Sequence, residues 1–338
     1  MKRNKLLSLT AALLLSLALF CGCGGNDTGS KAAKSDQLKI GVMQFGEFDA
    51  LQNAYRGFVD GLKDAGYNDG DNIRINYLSA AADTANCPTI ANTLINDDSD
   101  LILAIATPSV SAVKEKTTTI PILFTAVTDP VQSGFFKDAS APGGNISGTS
   151  DLNPVKEQIE LLHQLLPNAK RVAVFYCSSE SNSLAQYELA KKQLEALGLE
   201  CLQKTVSSVD EIKSTIESLK GQADAIYVPT DNTLADSMTT VIAASNGVKI
   251  PVIAGEQGMV KNGALATFGI DYYELGKQTA EMAVTILKSD DPLKTIGGLP
   301  VGFQTRECRY AVNTDTAKTL GITLPESILS VADQYPAK

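Results

Sequence analysis

Short runs of apolar residues alternate with segments of helical periodicity along most of the chain. The first run is Lys39–Met43, and Leu51–Ala65 then repeats apolar side chains every three or four residues. Leu101–Ala106 is another apolar run, after which Thr107-Pro108 begins a new helix with proline at its favoured first position. Strands that are apolar throughout and are joined by helices predict a parallel sheet covered on both faces.

The same alternation restarts in the second half of the chain. Helical periodicity covers Val155–Leu166, an apolar run follows at Arg171–Tyr176, and Leu184–Leu197 is again helical. No low-complexity linker separates the two halves, and short crossings between them fall near Asp151 and Gly269. The pattern predicts an α/β protein with two doubly wound parallel-sheet lobes.

The beginning of the chain follows neither pattern. A basic start precedes an apolar run at Leu6–Phe20, and the run ends in Cys21-Gly22-Cys23. These features are typical of an export signal, and the run is too short for an ordinary membrane-spanning helix. A cysteine at the cleavage point resembles the lipobox of bacterial lipoproteins, in which that cysteine is acylated and becomes the first mature residue.

Cys23 is the better candidate for this anchor, because a glycine precedes it whereas a phenylalanine precedes Cys21. We therefore predict a lipoprotein signal peptide over residues 1–22 and lipidation of Cys23. Residues 23–37 have too little apolar mass to fold, so we predict a flexible tether there. The alternative is a plain secretory signal cut nearby. Both predictions place the folded part outside the cytoplasm, and the lipoprotein prediction also holds it at the cell membrane.

Composition narrows the classes of function. The formal net charge is −9, which argues against nucleic-acid binding, since that needs clustered Lys and Arg. His163 is the single histidine and lies in a helical pattern away from any strand end, which removes Ser–His triads and most zinc sites. We predict no catalytic residue, no metal, no cofactor and no enzyme activity.

The cysteines beyond the signal leave one question open. Cys87, Cys177, Cys201 and Cys308 match no metal-site spacing. Cys177 and Cys201 flank a predicted strand–helix–strand unit, where an exported protein could oxidise them to a disulfide. Free buried thiols are the commoner outcome in a chain of this size.

Ligands of open parallel sheets bind beyond the carboxyl ends of the strands. In this chain the loops at those positions carry hydroxyl, amide, carboxylate and aromatic side chains, without Lys or Arg. The candidate ligand-binding residues are Gln44, Phe45, Thr107, Ser109, Thr128, Asp129, Ser178, Ser179, Asp231, Asn232, Glu256 and Asp271.

Some of these side chains suggest complementary groups on a ligand. Thr107 and Ser109 begin a helix whose first N–H groups can hold a carboxylate, although Thr107 is also expected to cap that helix. Asp231, with Glu256 second, can pair with an ammonium group, and helix capping is the alternative for both. Phe45 can stack on an aromatic ligand, with packing against the neighbouring helix as its alternative.

The other candidates have simpler expected roles. Thr128 would join the two residues at the helix start in holding a carboxylate. Polar contacts would come from Gln44, Ser178, Ser179 and Asn232, and further contributions from Asp129 and Asp271.

Three stretches of the chain carry a family resemblance, namely Ile40–Phe45, Tyr227–Asn232 and Gly263–Gly276. They resemble the TrpX-like substrate-binding proteins of ABC transporters, and the likeness runs over most of the chain after the tether. The resemblance implies a type I periplasmic-binding-protein fold with a hinge of several crossings. It also implies delivery of a small solute, chiefly tryptophan or tyrosine, to a membrane permease and its ATPase. A histidine that the family leads us to expect near Phe48 is absent.

The resemblance also sets expectations for the whole molecule. One lobe would comprise residues 38–150 with about 272–300, and the other 151–271 with about 301–338. We expect a lipid-anchored monomer that binds its solute in the cleft between the lobes and has no nucleic-acid partner. The alternatives are a binding protein for another solute (a branched-chain amino acid, a nucleoside or a sugar) and a sensor lipoprotein that presents its ligand to a receptor.

Overall fold

A computed structural model describes residues 37–303 and 308–336 of the chain. The predicted signal peptide, almost the whole predicted tether and the predicted lipidation site Cys23 therefore lie outside the described residues. Within those two ranges, none of the helices combines the length and the apolar character that crossing a membrane requires.

Strands and helices alternate along the described chain, as the apolar pattern predicts. The strands are β1 Leu38–Gln44, β2 Ile73–Ser79, β3 Leu101–Ile105, β4 Ile122–Val127, β5 Ile146–Ser150, β6 Arg171–Cys177, β7 Glu200–Val206, β8 Ala225–Val228, β9 Val252–Ala254, β10 Ala266–Gly269, β11 Gly302–Phe303, β12 Arg309–Asn313 and β13 Asp333–Tyr335. The helices are α1 Asp49–Asp64, α2 Cys87–Asn96, α3 Thr107–Lys114, α4 Val155–Leu165, α5 Ser181–Ala196, α6 Ile212–Ser218, α7 Asn232–Asp236, α8 Met238–Val248, α9 Gln257–Lys261, α10 Tyr272–Leu287, α11 Pro292–Gly298, α12 Thr314–Leu320 and α13 Glu326–Leu329.

The strands form two separate sheets. The first has the order β11-β5-β4-β3-β1-β2 and the second β13-β12-β10-β9-β8-β6-β7. In both, the first strand of the lobe lies between the second and the third, which is a doubly wound arrangement with a switch point beside the first strand. The first sheet is parallel, and the second is parallel apart from the antiparallel pair β10–β12. The prediction of two doubly wound lobes is confirmed.

Each sheet is covered on both faces, which explains its continuously apolar strands. β3, β4 and β5 are buried at every position. One core fills the first lobe around Phe58 and Phe124, whereas the second lobe has one cluster around Phe175 and another around Tyr227. Burial on both faces of a sheet is the usual condition of parallel strands.

The chain passes between the lobes three times. It crosses between β5 and α4, between β10 and α10, and between β11 and β12. Because Gly302–Phe303 pairs with β5, the first lobe includes β11, slightly beyond the boundary near residue 300 that the sequence suggested.

The expected start of α3 needs correction. Thr107 does not cap α3, because it is the first residue within the helix and the preceding Ala106 takes the cap position. Pro108 consequently occupies the second helical position rather than the first.

The cysteine question has a structural answer. Cys177 is the last residue of β6 and pairs with Val206, whereas Cys201 lies near the start of β7 and pairs with Val172. The two thiols therefore lie towards opposite ends of neighbouring strands, and all four cysteines beyond the signal are free.

Candidate functional site

A narrow cavity lies between the lobes, at the carboxyl ends of the parallel strands. Its volume is about 300 Å³ including its opening to solvent. We call it the central cavity; its lining residues are Phe48, Ala50, Leu51, Ala126, Thr128, Asp151, Asn182, Thr230, Asp231, Asn232, Ala235, Glu256, Met259 and Tyr272. Both lobes and two of the crossings contribute, so a molecule held here touches every part that would move if the lobes rotated.

A wider pocket adjoins the central cavity and shares Asn182 with it. This side pocket, of about 880 Å³ with its open solvent, is lined by Phe45, Ala82, Thr84, Cys87, Pro88, Thr107, Pro108, Ser111, Ala112, Glu115, Ser179, Glu180, Ser181, Asn182 and Thr233. Each of the two spaces, with its open solvent included, falls in the range of roughly 300–1,000 Å³ that is usual for small-molecule sites.

The structure places the sequence-predicted residues in four groups. Thr128, Asp231, Asn232 and Glu256 line the central cavity. Phe45, Thr107 and Ser179 line the side pocket. Gln44, Ser109, Asp129 and Ser178 line neither space, and Asp271 lines a separate groove beside Glu256 and Tyr272.

Asp231 is a buried carboxylate whose hydrogen bonds stabilise the second lobe. It accepts hydrogen bonds from the Cys177 N–H at 2.7 Å, the Ser183 hydroxyl at 2.7 Å and the Leu234 N–H at 2.8 Å. It thereby caps α7 and ties that helix to β6 and α5. Burial, together with the nearby Glu180, raises the pKa of Asp231 to about 8, although the three donors act in the opposite direction.

Glu256 is the second buried carboxylate of the central cavity. It caps α9 by accepting the N–H groups of Gly258 and Met259. Burial raises the pKa of Glu256 to about 7, and the charges of Asp49 and Asp151 act in the same direction. For Asp231 and Glu256, therefore, the capping alternative is realised and the carboxylate also lines the site.

Asp151 is a third carboxylate, which the sequence analysis recognised only as part of a crossing. It accepts the Thr128 hydroxyl at 3.1 Å and the Tyr272 hydroxyl at 2.7 Å, and only 4% of its surface is exposed. Burial raises the pKa of Asp151. Since Tyr272 follows the second crossing, this hydrogen bond joins two crossings at the wall of the central cavity.

The central cavity is therefore acidic. Asp151, Asp231 and Glu256 line it, and Lys and Arg are absent from its described lining. Among the residues that the structure describes, no group of His, Cys, Asp or Glu could hold a metal ion. Three buried carboxylates without a cationic partner favour a ligand with an organic cation such as an ammonium group.

The side pocket differs from the central cavity in that two helices begin at its wall, although the carboxylates of Glu115 and Glu180 also line it. α3 contributes Thr107 and Pro108 from the first lobe, and α5 contributes Ser181 and Asn182 from the second. The N–H groups of a first helical turn have no partner within the helix and carry a partial positive charge. Two helix starts from opposite lobes therefore offer a place for a ligand carboxylate.

Strained backbone accompanies these loops in the first lobe. Ala106 and Ala126 adopt positive φ angles of 77° and 55°, a region that residues other than glycine rarely occupy. Ala126 lines the central cavity and Ala106 precedes the first residue of α3. Such strain, of roughly 1–3 kcal/mol per residue, clusters at functional sites.

Buried polar atoms without partners surround the same region. Gln44 Oε1, Ser109 Oγ and Asn182 Oδ1 find no hydrogen-bond partner in residues 37–303 and 308–336. Gln44 and Ser109 are fully buried, at the end of β1 and in the first turn of α3. Native proteins leave few such atoms unpaired, and three of the six in the described residues lie in this region.

The two phenylalanines differ in position. Phe45 is 2% exposed and belongs to the core of the first lobe, although it forms part of the side-pocket wall. Phe48 lines the central cavity and packs against the cores of both lobes. Phe48 is thus the aromatic side chain at the junction, whereas Phe45 is mainly a core residue.

Glu180 and its neighbours form a buried network that the sequence analysis missed. Its carboxylate accepts five hydrogen bonds, from the side chain of Asn182 and from the backbone and side chains of Asn232 and Thr233. The network joins the start of α5 to the start of α7. No sequence spacing could have indicated the bonds to Asn232 and Thr233, since these residues lie about fifty positions from Glu180 and approach it only through the fold of the second lobe.

The lobes touch at several points beside the cavity. The Thr128 and Thr230 hydroxyls lie 3.5 Å apart, as do those of Ser133 and Ser181. An ion pair of 2.8 Å between Lys261 in α9 and Asp49 in α1 also spans the lobes. The described structure is therefore a closed arrangement of the two lobes.

Comparison with known sequences identifies the family. The sequence profile described as ABC transporter substrate binding protein matches residues 39–335. The chain belongs to this family. A relative, the tyrosine-binding protein of Clostridioides difficile (strain R20291), is 41% identical over 326 residues, which cover 94% of this chain and 93% of the relative.

Two solved structures of substrate-binding proteins differ in their similarity to this chain. The domain from Streptococcus pneumoniae in complex with L-Trp is 37% identical, with a TM-score of 0.83 over 88% of this chain and 99% of its own. The ligand-free, open substrate-binding protein with adhesive properties from Clostridium difficile is 40% identical, with a TM-score of 0.68 over 89% and 100%. The structure therefore superposes better on the tryptophan complex than on the ligand-free, open structure, although the latter chain is the more identical.

Proposed function

We propose that this substrate-binding protein holds an aromatic amino acid, tyrosine or tryptophan, between its lobes and delivers it to an ABC permease. The observation that carries the proposal is the acidic central cavity beside a side pocket with two helix starts. That arrangement complements the ammonium and the carboxylate of one amino acid. The tyrosine-binding relative and the tryptophan-bound structure support an aromatic side chain.

The ammonium group would lie in the central cavity. Asp231 would be its main partner and Glu256 the second, as the sequence predicts, and Asp151 is added as a third. An ammonium ion has three N–H donors, and its charge would offset the cost of burying ionised carboxylates.

The carboxylate would lie against the helix starts in the side pocket. Thr107 remains a candidate for this contact. The Thr128 hydroxyl instead donates a hydrogen bond to Asp151 and so belongs to the acidic central cavity. The aromatic ring would lie on the apolar part of the side pocket, against Phe45, Ala82 and Pro88.

Binding would be coupled to closure of the lobes. The proposed partners of the ligand belong to both lobes and to the first crossing, so the ligand stabilises the closed arrangement more than an open one. The central cavity is narrow as described, and a ligand would reach it while the lobes are apart. The protein itself would perform no chemistry on the ligand.

The membrane attachment belongs to the same proposal. Acylation of Cys23 would anchor the protein at the extracytoplasmic face of the cell membrane, close to its permease and the associated ATPase. The anchored protein would be a monomer. Replacement of Cys23 by serine should abolish the incorporation of a labelled fatty acid into the protein in its native host. A Cys23→Ser variant that is still labelled would contradict a lipid anchor at this position.

The ligand assignment is tested on the compact unit Gln37–Lys338. A ligand that binds only the native state raises the melting temperature, so tyrosine or tryptophan should raise it and give a saturable calorimetric isotherm. The control ligands are leucine, a nucleoside and a hexose. If one of the control ligands stabilises the protein and no aromatic amino acid does, the proposed ligand is wrong.

A further inference from the structure

Asn182 occupies the junction of the central cavity and the side pocket. It is the second residue of α5, only 3% of it is exposed, and it lines both spaces. It is therefore a polar residue that forms part of the wall of both the acidic central cavity and the side pocket.

The orientation of its amide is fixed by the protein. Nδ2 donates to Glu180 Oε2 at 3.1 Å and to the Thr230 carbonyl oxygen at 3.0 Å. The carbonyl oxygen can only accept, so the nitrogen must lie on that side and Oδ1 on the other.

Oδ1 is left without a donor. In residues 37–303 and 308–336, nothing donates a hydrogen bond to it. A buried carbonyl oxygen without a partner is costly, whereas the same amide makes full use of its nitrogen. An acceptor that is held rigidly at the wall of a binding site and left unpaired is suited to a donor that arrives with the ligand.

We propose that Asn182 Oδ1 accepts a hydrogen bond from the ligand and selects ligands with an N–H or O–H group at this point. The inference rests on the proposed function. An aromatic amino acid has two sources of such a donor, its ammonium group and the polar hydrogen of a phenol or indole side chain. A ligand without the donor leaves Oδ1 unpaired, and sites of this kind discriminate strongly against such analogues.

Gln186 provides a matched control. It lies one turn further along α5, is fully buried, and holds the same Thr230 through bonds of 2.6 Å from its Nε2 to the hydroxyl and 3.2 Å from the Thr230 N–H to its Oε1. It lines neither the central cavity nor the side pocket. Alanine at 182 or at 186 loosens Thr230, but only alanine at 182 removes the unpaired acceptor.

The experiment measures the affinity of L-tyrosine and L-phenylalanine by calorimetry for the wild type, Asn182→Ala and Gln186→Ala. We expect Asn182→Ala to weaken tyrosine binding by about 10- to 100-fold and Gln186→Ala by less than about threefold. If the phenol hydroxyl of tyrosine is the donor to Asn182 Oδ1, Asn182→Ala weakens tyrosine binding far more than phenylalanine binding. If the ammonium is the source, both weaken by the same factor.

If the losses of affinity caused by Asn182→Ala and Gln186→Ala agree within about threefold for both ligands, the role of Asn182 Oδ1 is wrong, while the proposed function stands. Failure of the wild type to bind either amino acid would overturn the proposed ligand, and this inference with it. Melting temperatures establish that the variants fold. Asn182→Ser, whose hydroxyl can still donate to Glu180, replaces the alanine variant if that one does not fold, with the same expected loss.

Discussion

Asp231 combines two tasks in one carboxylate. Its oxygens hold donors from β6, α5 and α7 while the same side chain lines the central cavity. Removal of the whole carboxylate would leave three buried donors unpaired, at roughly 1–3 kcal/mol each before relaxation. Asp231→Ala is therefore expected to lower stability as well as affinity, so it does not separate the two effects.

The amide Asp231→Asn separates binding from stability. It keeps the shape and one acceptor oxygen, so we expect a loss of stability of about 1–2 kcal/mol and a loss of amino-acid affinity of at least about tenfold. Calorimetry and urea denaturation measure the two effects. Asp129→Asn is the control, because Asp129 lines neither space and, in the described part of the chain, accepts the local N–H groups of Val131 and Gln132. Equal affinities of Asp231→Asn and wild type would remove Asp231 from the site.

The pKa values of Asp231 and Glu256 predict a pH dependence. Burial raises them to about 8 and about 7, above ordinary values of about 3.9 and 4.3. The empty folded state thus binds more protons than the unfolded state, so its stability falls as the pH rises from about 4 to about 8.

Ligand binding should respond in the opposite direction. An ammonium group favours the ionised carboxylates, so binding releases protons below these pKa values, and affinity should rise by at least about tenfold from pH 5.5 to 8. Calorimetry in two buffers of different ionisation enthalpy counts the protons released. The Glu256→Gln variant should bind the amino acid more weakly than the wild type, and its affinity should change less with pH. A pH-independent affinity in the wild type would show that the ligand does not pair with these carboxylates.

The positions of some candidate residues follow from the sequence for a physical reason. Parallel strands bring their carboxyl ends to one edge, so the loops that carry Asp231 and Glu256 could be predicted to meet, and both residues line the central cavity. The hydrogen bonds of Asp151 and Asn182 could not be predicted, because they depend on which distant groups these side chains meet. A carboxylate that bonds to Tyr272 across two crossings has no local sequence signature.

Among the helices, α1 and α10 pack in close contact although they lie more than 200 positions apart. Their approach depends on glycine: a Cβ at Gly276 would come within 2.0 Å of the Ala54 carbonyl oxygen, and one at Gly57 within 1.9 Å of the Tyr273 carbonyl oxygen. Since α10 follows the second crossing and Asp271 and Tyr272 begin it, this packing positions the crossing relative to the first lobe.

Gly276→Ala should therefore destabilise the protein despite the better helix propensity of alanine. Overpacking costs about 1–3 kcal/mol or more, and we expect a net loss of at least about 1 kcal/mol after propensity is included. Chemical denaturation measures it. The matched control is Gly247→Ala in α8, where a Cβ meets nothing within 4 Å and stability should rise by up to about 1 kcal/mol. Equal stability of the two variants would contradict the close packing.

The elements themselves were accessible from sequence wherever one periodicity dominated. β1, β3 and β6 are apolar runs that the sheets bury, and α1 has one apolar face, so local pattern and tertiary burial agree. The start of α3 was misjudged because the cap lies at Ala106, whose positive φ has no sequence signal. The strands β11 to β13 are short or partly exposed and lack the continuous apolar pattern.

At the scale of the whole molecule, three crossings join two lobes that are each well packed. Near the site the lobes touch through the Phe48 side chain and through polar pairs such as Thr128–Thr230 and Lys261–Asp49. The Lys261–Asp49 ion pair is exposed, and such pairs contribute only about 0–1 kcal/mol. A ligand that touches both lobes is then able to determine whether the closed arrangement dominates.

A disulfide across the cleft tests this mechanism directly. The hydroxyls of Ser133 in the first lobe and Ser181 in the second lie 3.5 Å apart and are not buried, so the pair Ser133→Cys and Ser181→Cys should oxidise in the closed arrangement. Oxidation after loading with ligand should slow ligand dissociation by at least about tenfold, because the ligand leaves only when the lobes separate. Stopped-flow measurement with a competing amino acid gives the rate. The reduced double variant is the reference, because it carries the same two substitutions, including the one at the side-pocket residue Ser181, without a disulfide between the lobes. If the oxidised double variant releases its ligand as fast as the reduced double variant does, ligand exchange does not require separation of the lobes, and the site has another route to solvent.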